Sequence, residues 1–243
     1  MSPRSRRHHA IVRVTHWVNL VAIIIMAGSG LRILQAYPAF HRPGETIFGV
    51  APRVDFIPQW LQIGGWLGGA RQWHFAMMWV LVLNGLLYVA FLFLHGEWRD
   101  LAPRRGDVRD MLAMVRYYLG RIATHPVQGK HNALQKWAYA AMPVLGAVLV
   151  LSGLAIWKPV TLGWITALFG NYVFARLVHF VAMVVLLGLA AGHVFMVLST
   201  DPFAIRSMIT GWYDERFSPE ARNARPFRNL FPRPPAEPGA PVP

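Results

Sequence analysis

Four uncharged apolar stretches constrain this chain more than any other feature: residues 14–31, 75–94, 137–157 and 177–198 contain no Asp, Glu, Lys or Arg. About 20 predominantly apolar residues are what an α-helix needs to cross the hydrocarbon core. Lipid offers the backbone no hydrogen bonds, so segments of this kind fold as helices. The competing reading, four helices buried in a soluble protein, leaves too little of the 243-residue chain to wrap them. Only 14% of residues are charged, against about 25% in ordinary soluble domains. Trp17, Trp73, Trp137 and Trp157 stand at or near the ends of the stretches, where interfacial aromatic residues concentrate. The chain is read as an all-α integral membrane protein, a four-transmembrane-helix bundle in contact with membrane lipid. Its spans are expected over residues 14–36, 73–95, 135–157 and 176–199. Arg4, Arg6 and Arg7 precede a stretch without a small-residue cleavage pattern, so the first span is expected to stay as an anchor.

The formal net charge of +13 then has a topological explanation. Eighteen of the 24 Lys and Arg fall in residues 1–13, 95–136 and 199–243, and the remaining six in 32–74 and 158–176. Cations flank spans on the cytoplasmic side. Both termini and the 95–136 connection are therefore expected in the cytoplasm, and the cations call for no nucleic-acid partner. Residues 37–72, rich in Pro and Gly, are expected to form a long external loop with a short interfacial helix around 60–67. Residues 213–243, rich in Pro with little apolar periodicity, read as a disordered cytoplasmic tail. No internal repeat is strong enough to use.

The chain has no cysteine, which excludes disulfides, thiolate-held iron–sulfur clusters, covalent haem attachment and cysteine nucleophiles. Histidine is left as the main candidate ligand, and ionisable residues inside a span are functional candidates by default. His179 and His193 lie 14 residues apart in the fourth stretch, about 21 Å along a helix and about 40° short of four full turns. They share a face at opposite depths, too far apart for one metal ion but suited to two b-type haems, one near each side of the membrane. Each haem then needs a second axial ligand at matching depth. His16, near the cytoplasmic start of the first span, pairs with His193, and His74, at the external start of the second, pairs with His179. His95 is an alternative to His16, and His131 either serves a propionate or a quinone head group or simply faces water.

Arg13, Arg71 and Arg176 each stand three residues before His16, His74 and His179. That spacing puts them on the ligand's helix face, one turn closer to water, where a forked cation suits a haem propionate. Gly28, Gly30, Gly85, Gly146, Gly153, Gly188 and Gly192 are candidates to admit a flat macrocycle or to let helices pack closely.

With Arg13-x-x-His16-Trp17, Arg71-x-x-His74-Phe75, the 129–136 segment GKHNALQK, and His179 with His193, the sequence resembles the bacterial di-haem cytochrome b membrane subunits. That family contains the cytochrome subunits of nickel–iron hydrogenases, formate dehydrogenases and thiosulfate reductases. The 129–136 segment is most similar to the thiosulfate-reductase-like branch. The resemblance spans residues 8–212. It implies a four-helix bundle enclosing two b haems in the bacterial inner membrane, passing electrons between the quinone pool and a catalytic oxidoreductase subunit. In the favoured branch it also implies a periplasmic molybdopterin partner. Family precedent points to a quinone site at His131, Asn132, Gln135 and Lys136, with Arg53, Asp55 and the Trp60 region as the external alternative. A haem-free membrane anchor or small transporter with an intramembrane His relay is the alternative function.

Overall fold

A computed structural model of the chain describes residues 4–41, 43–44, 46–126, 132–224 and 226. Four long helices carry the apolar stretches: α1 (Ala10–Ala36) and α2 (Leu67–Leu94), then, after the short α3 (Trp98–Leu101) and α4 (Asp107–Tyr118), α5 (Ala133–Trp157). The short α6 (Gly163–Leu168) precedes the fourth, α7 (Tyr172–Thr200). All four are long and apolar enough to cross a membrane. At 25–29 residues each, they extend about 38–44 Å, beyond the hydrocarbon core into both interfaces. The chain divides into two compact units, one of residues 10–101 and 138–188, the other of residues 1–9, 102–137 and 189–243.

In the first unit α1 and α2 pack through small and polar residues. The buried Asn84 amide donates to the Thr15 carbonyl at 2.8 Å and to Asn19 Oδ1 at 2.7 Å. The connection to α2 returns onto α1 at Gly28, whose carbonyl accepts from the Ile63 backbone N–H at 3.1 Å. A Cβ at Gly28 would lie 2.7 Å from the Ile63 side chain, so this glycine serves the docked loop. Arg32 donates to the Gly65 carbonyl at 2.8 Å. The interfacial helix expected at 60–67 is reduced to a single 3-10 turn, Gln59–Leu61. Gly64 and Gly65, with φ of +104° and +65°, turn the chain sharply and admit no helix until Leu67. Ala155, Ile165 and Ala175 form a buried cluster joining α5, α6 and the start of α7.

The second unit contains a small antiparallel pair, β1 (Arg4–Arg6) with β2 (Trp212–Asp214), the latter following α8 (Phe203–Thr210). Tyr213, buried beneath the Arg7 guanidinium at 3.7 Å, donates its hydroxyl to Asp201 at 2.7 Å. Arg7 also pairs with Glu215 at 2.8 Å. After α9 (Pro219–Arg222), Asn223 Oδ1 and the Ala224 carbonyl lie 2.8 and 2.9 Å from the buried Tyr117 hydroxyl. The expectation of a disordered tail from residue 213 therefore needs correction over 213–224. These residues are tied down by a few aromatic and charged side chains, which an apolar periodicity does not register. Residues 227–243 lie outside the described residues.

At the start of α5, Asn132 and Gln135 cap the helix reciprocally. Asn132 Oδ1 accepts from the Gln135 N–H at 3.0 Å, and Gln135 Oε1 accepts from the Asn132 N–H at 3.1 Å, satisfying two otherwise orphaned donors. Lys136 Nζ pairs with Asp107 at 3.1 Å. The Asp107 carboxyl is held below its ordinary value by the Arg104 backbone N–H and, further, by Lys136.

Two consequences are measurable. Gly64→Ala forces a side chain into the left-handed region and places a Cβ 2.4 Å from the Ala70 backbone. The conformational cost alone is about 1–2 kcal/mol, so the detergent-solubilised variant should unfold at clearly lower temperature. Gly44→Ala, also at positive φ but with nothing within 4 Å, should lose less; equal losses would contradict this account. A depressed Asp107 pKa adds stability above the carboxylate's ordinary value of 3.8, and that stability fades as pH falls below it. The stability difference between wild type and Asp107→Asn should therefore be largest near neutrality and close on acidification.

Candidate functional site

Two of the predicted ligands meet in the first unit. His74 near the start of α2 and His179 on α7 have ring centroids 6.4 Å apart, with planes inclined at 60°. The His74 Nδ1 lies 3.1 Å from Ser29 Oγ and 3.1 Å from the Met26 carbonyl on α1. A carbonyl only accepts, so Nδ1 carries the proton. The Ser29 hydroxyl sends its own proton to the Ile25 carbonyl at 2.6 Å, leaving its oxygen to accept. Ser152 on α5 repeats the device: its Oγ lies 2.9 Å from His179 Nδ1, and its hydroxyl donates to the Val148 carbonyl at 2.6 Å. Both imidazoles are thereby held in the tautomer whose Nε2 presents a lone pair. Among the described residues neither Nε2 has a hydrogen-bond partner.

Ligation of one metal by both rings would require a particular spacing. Metal–imidazole bonds of about 2.0 Å and a ring-centre-to-nitrogen distance of about 1.1 Å put the centroids of two rings on one metal about 6.2 Å apart. The 6.4 Å found here fits that requirement. The second nitrogen of each ring is anchored, as ligating histidines require. Gly30 and Gly153 permit the close approach, since a Cβ on either would stand 3.3 Å from the Cε1 of His74 or His179. At Gly85, Gly146 and Gly188 a Cβ would meet nothing within 4 Å, leaving those helix surfaces open.

The arrangement is internally duplicated, contrary to the expectation that no usable repeat exists. Ser29-Gly30-Leu31 on α1 faces Arg71-x-x-His74-Phe75 on α2, and Ser152-Gly153-Leu154 on α5 faces Arg176-x-x-His179-Phe180 on α7. The phenylalanine after each histidine packs on an aromatic ring, Phe75 on Trp157 and Phe180 on Phe40, both at 5.2 Å. Comparing α1 with α5 and α2 with α7 reveals the match; a search for contiguous repeats does not, because the spacing from serine to histidine differs.

The remaining candidates have varied settings. His16 stands edge-on to Trp17 at 5.1 Å. His193 is half-buried on α7 and belongs to the other unit. His95 is folded back on α2, its Nδ1 3.1 Å from the Phe91 carbonyl and its ring stacked on Phe91 at 4.3 Å. Arg176 donates to the carbonyls of Ala39 at 3.0 Å and Tyr37 at 2.5 Å and lies over the Tyr37 ring, so it clamps the α1–α2 connection one turn from His179. Arg71 is exposed, and Arg13 half-buried. Of the quinone candidates, His131 lies outside the described residues. Asn132 and Gln135 form the α5 cap, and Lys136 is in its ion pair. In the α1–α2 connection Arg53 pairs with Asp55, and Trp60 is exposed.

The family model for prokaryotic cytochrome b561 matches residues 7–211. A protein of Azospira oryzae with the provisional name protein-methionine-sulfoxide reductase subunit YedZ1 is 39% identical over 207 residues, covering 84% of this chain and 96% of the relative. Proteins of Azotobacter vinelandii and Cupriavidus necator, each named as a probable Ni/Fe-hydrogenase B-type cytochrome subunit, are 25% and 24% identical, covering 84% of this chain and 86% and 82% of theirs. The chain belongs to the prokaryotic cytochrome b561 family, the membrane b-type cytochrome subunits of oxidoreductases.

Proposed function

We propose that this protein holds two b haems in the bacterial inner membrane, with both termini cytoplasmic, and carries electrons between the quinone pool and a catalytic subunit at the periplasmic face. The observation that carries the reading is the His74–His179 pair, spaced for one iron and anchored through both Nδ1 atoms. Haem, when bound, supplies reversible one-electron exchange at its iron. His74 and His179 would hold one such group and His16 and His193 the other. Arg13, Arg71 and Arg176 stand one turn from ligands, where they would meet propionates. The 14-residue step from His179 to His193 spaces the two sites by about 21 Å along α7.

Quinone exchange is assigned to the start of α5, around His131, Asn132, Gln135 and Lys136. There the Asp107 contact fixes the Lys136 ammonium while leaving it protons for an incoming quinone oxygen. For the partner, the external loop supports a docking role: Phe48, Phe56, Trp60 and Trp66 are between 70% and 93% exposed, an apolar surface that a partner would cover. The name of the Azospira oryzae relative supports a sulfoxide-reducing partner over a hydrogenase, and a molybdopterin cofactor in that subunit completes the proposal.

The test is the reduced-minus-oxidised visible spectrum of the purified protein with haem content per chain. Two b haems are expected. His74→Ala or His179→Ala should remove one and retain the other, while His16→Ala or His193→Ala should remove the complementary one. A colourless wild-type protein, or full haem content in all four variants, would sink the proposal.

A further inference from the structure

We propose that Ser29 and Ser152 are positioning residues that set the reduction potential of the iron shared by His74 and His179; this rests on the axial-ligand reading above. Both serines are fully buried. Each joins a three-part chain in which an imidazole N–H donates to a hydroxyl oxygen whose own proton goes to a helix carbonyl. The chain runs from His74 through Ser29 to Ile25, and from His179 through Ser152 to Val148. Consecutive hydrogen bonds of this type polarise one another. A hydroxyl drawing on the Nδ1 proton increases electron density on the opposite nitrogen, making the imidazole a stronger donor. Stronger donation favours the oxidised iron and lowers the potential.

The step is balanced without any co-reactant beyond the electron. One electron enters the iron, and the Nδ1 proton stays between nitrogen and hydroxyl in both oxidation states. Neither serine donates or accepts a proton outright, so the electron transfer they influence need not change with pH on their account.

The duplication makes the effect specific. One serine acts on each side of the same iron, and glycine follows each serine, so the hydroxyl and the imidazole edge share a gap that a Cβ would narrow to 3.3 Å. A serine that only filled helix-packing space would have no reason to meet the ligand's Nδ1 in both halves. His74 keeps the Met26 carbonyl as a second Nδ1 acceptor, so Ser29 shares that nitrogen with a backbone group.

Redox titration of the b-band absorbance in wild type, Ser29→Ala, Ser152→Ala and the double variant tests the idea. Loss of a net hydrogen bond of about 1 kcal/mol corresponds to about fivefold in the reduction equilibrium. Because the bond persists in both oxidation states, that is the upper limit: at 59 mV per tenfold for one electron, the potential of one haem transition should rise by up to about 40 mV per serine. The other transition should stay in place, and the double variant should shift furthest. Ser152→Thr and Ser29→Thr keep the hydroxyl and should hold the wild-type potential. Where an alanine variant loses haem, retention by its threonine counterpart supports the role, and loss in both overturns it. Unmoved potentials in haem-loaded alanine variants also overturn it and leave the ligand assignment standing. Absence of b bands from wild type refutes the ligand assignment itself, which separates the two failures.

Discussion

Inside the hydrocarbon, a polar group must find its partner within the protein, and this constraint organises the rest of the structure. A neutral imidazole facing lipid leaves a donor and an acceptor unmet, at a cost of several kcal/mol for each unsatisfied group. Serine is an economical remedy in a helix because its hydroxyl can bond the carbonyl one turn back and still accept from a neighbour. Ser29 and Ser152 do this for His74 and His179. What remains uncompensated is one nitrogen on each ring, the atom a metal centre would engage. Solving the solvation problem and preparing a ligand are here the same arrangement.

The small residues beside the serines follow from it. Gly30 and Gly153 exist where the imidazole edge comes closest to the helix backbone. Gly28 meets a different demand, making room for Ile63 and the returning loop. That loop is held in turn by Arg32 and Arg176. Arg176 therefore sits where the α1–α2 connection and His179 converge, and its guanidinium already grips two backbone carbonyls. At the start of α5, the polar residues likewise have structural work, since the Asn132–Gln135 cap and the Lys136–Asp107 pair fix how that helix begins.

Much of this was legible in the sequence. The uncharged runs are long enough that helix formation in lipid is close to compulsory, so the positions of the four helices follow from composition alone. Their ends did not: α2 begins at Leu67 because Gly64 and Gly65 adopt positive φ, a backbone fact with no hydropathy signature. That His74 and His179 come close was expected from their places near the starts of α2 and α7; their sharing of one iron is the proposal. The serines were missed because a hydroxyl within an apolar helix carries no charge or periodic signal. Aligning Ser29-Gly30 with Ser152-Gly153 and Arg71-x-x-His74-Phe75 with Arg176-x-x-His179-Phe180 was the available clue. Order in residues 213–224 escaped for a related reason, because Tyr213 and Asn223 are held by a few specific polar contacts and not by an apolar stripe.

The central claim is that His74 and His179 bind opposite faces of one iron through their Nε2 atoms. An experimental density map of the purified, haem-loaded protein tests it most directly. The account predicts a single macrocycle between the two rings, both Nε2 atoms about 2.0 Å from its iron, and both Nδ1 atoms still on the serines. Ligation of the two histidines to different irons, or through Nδ1, would contradict it.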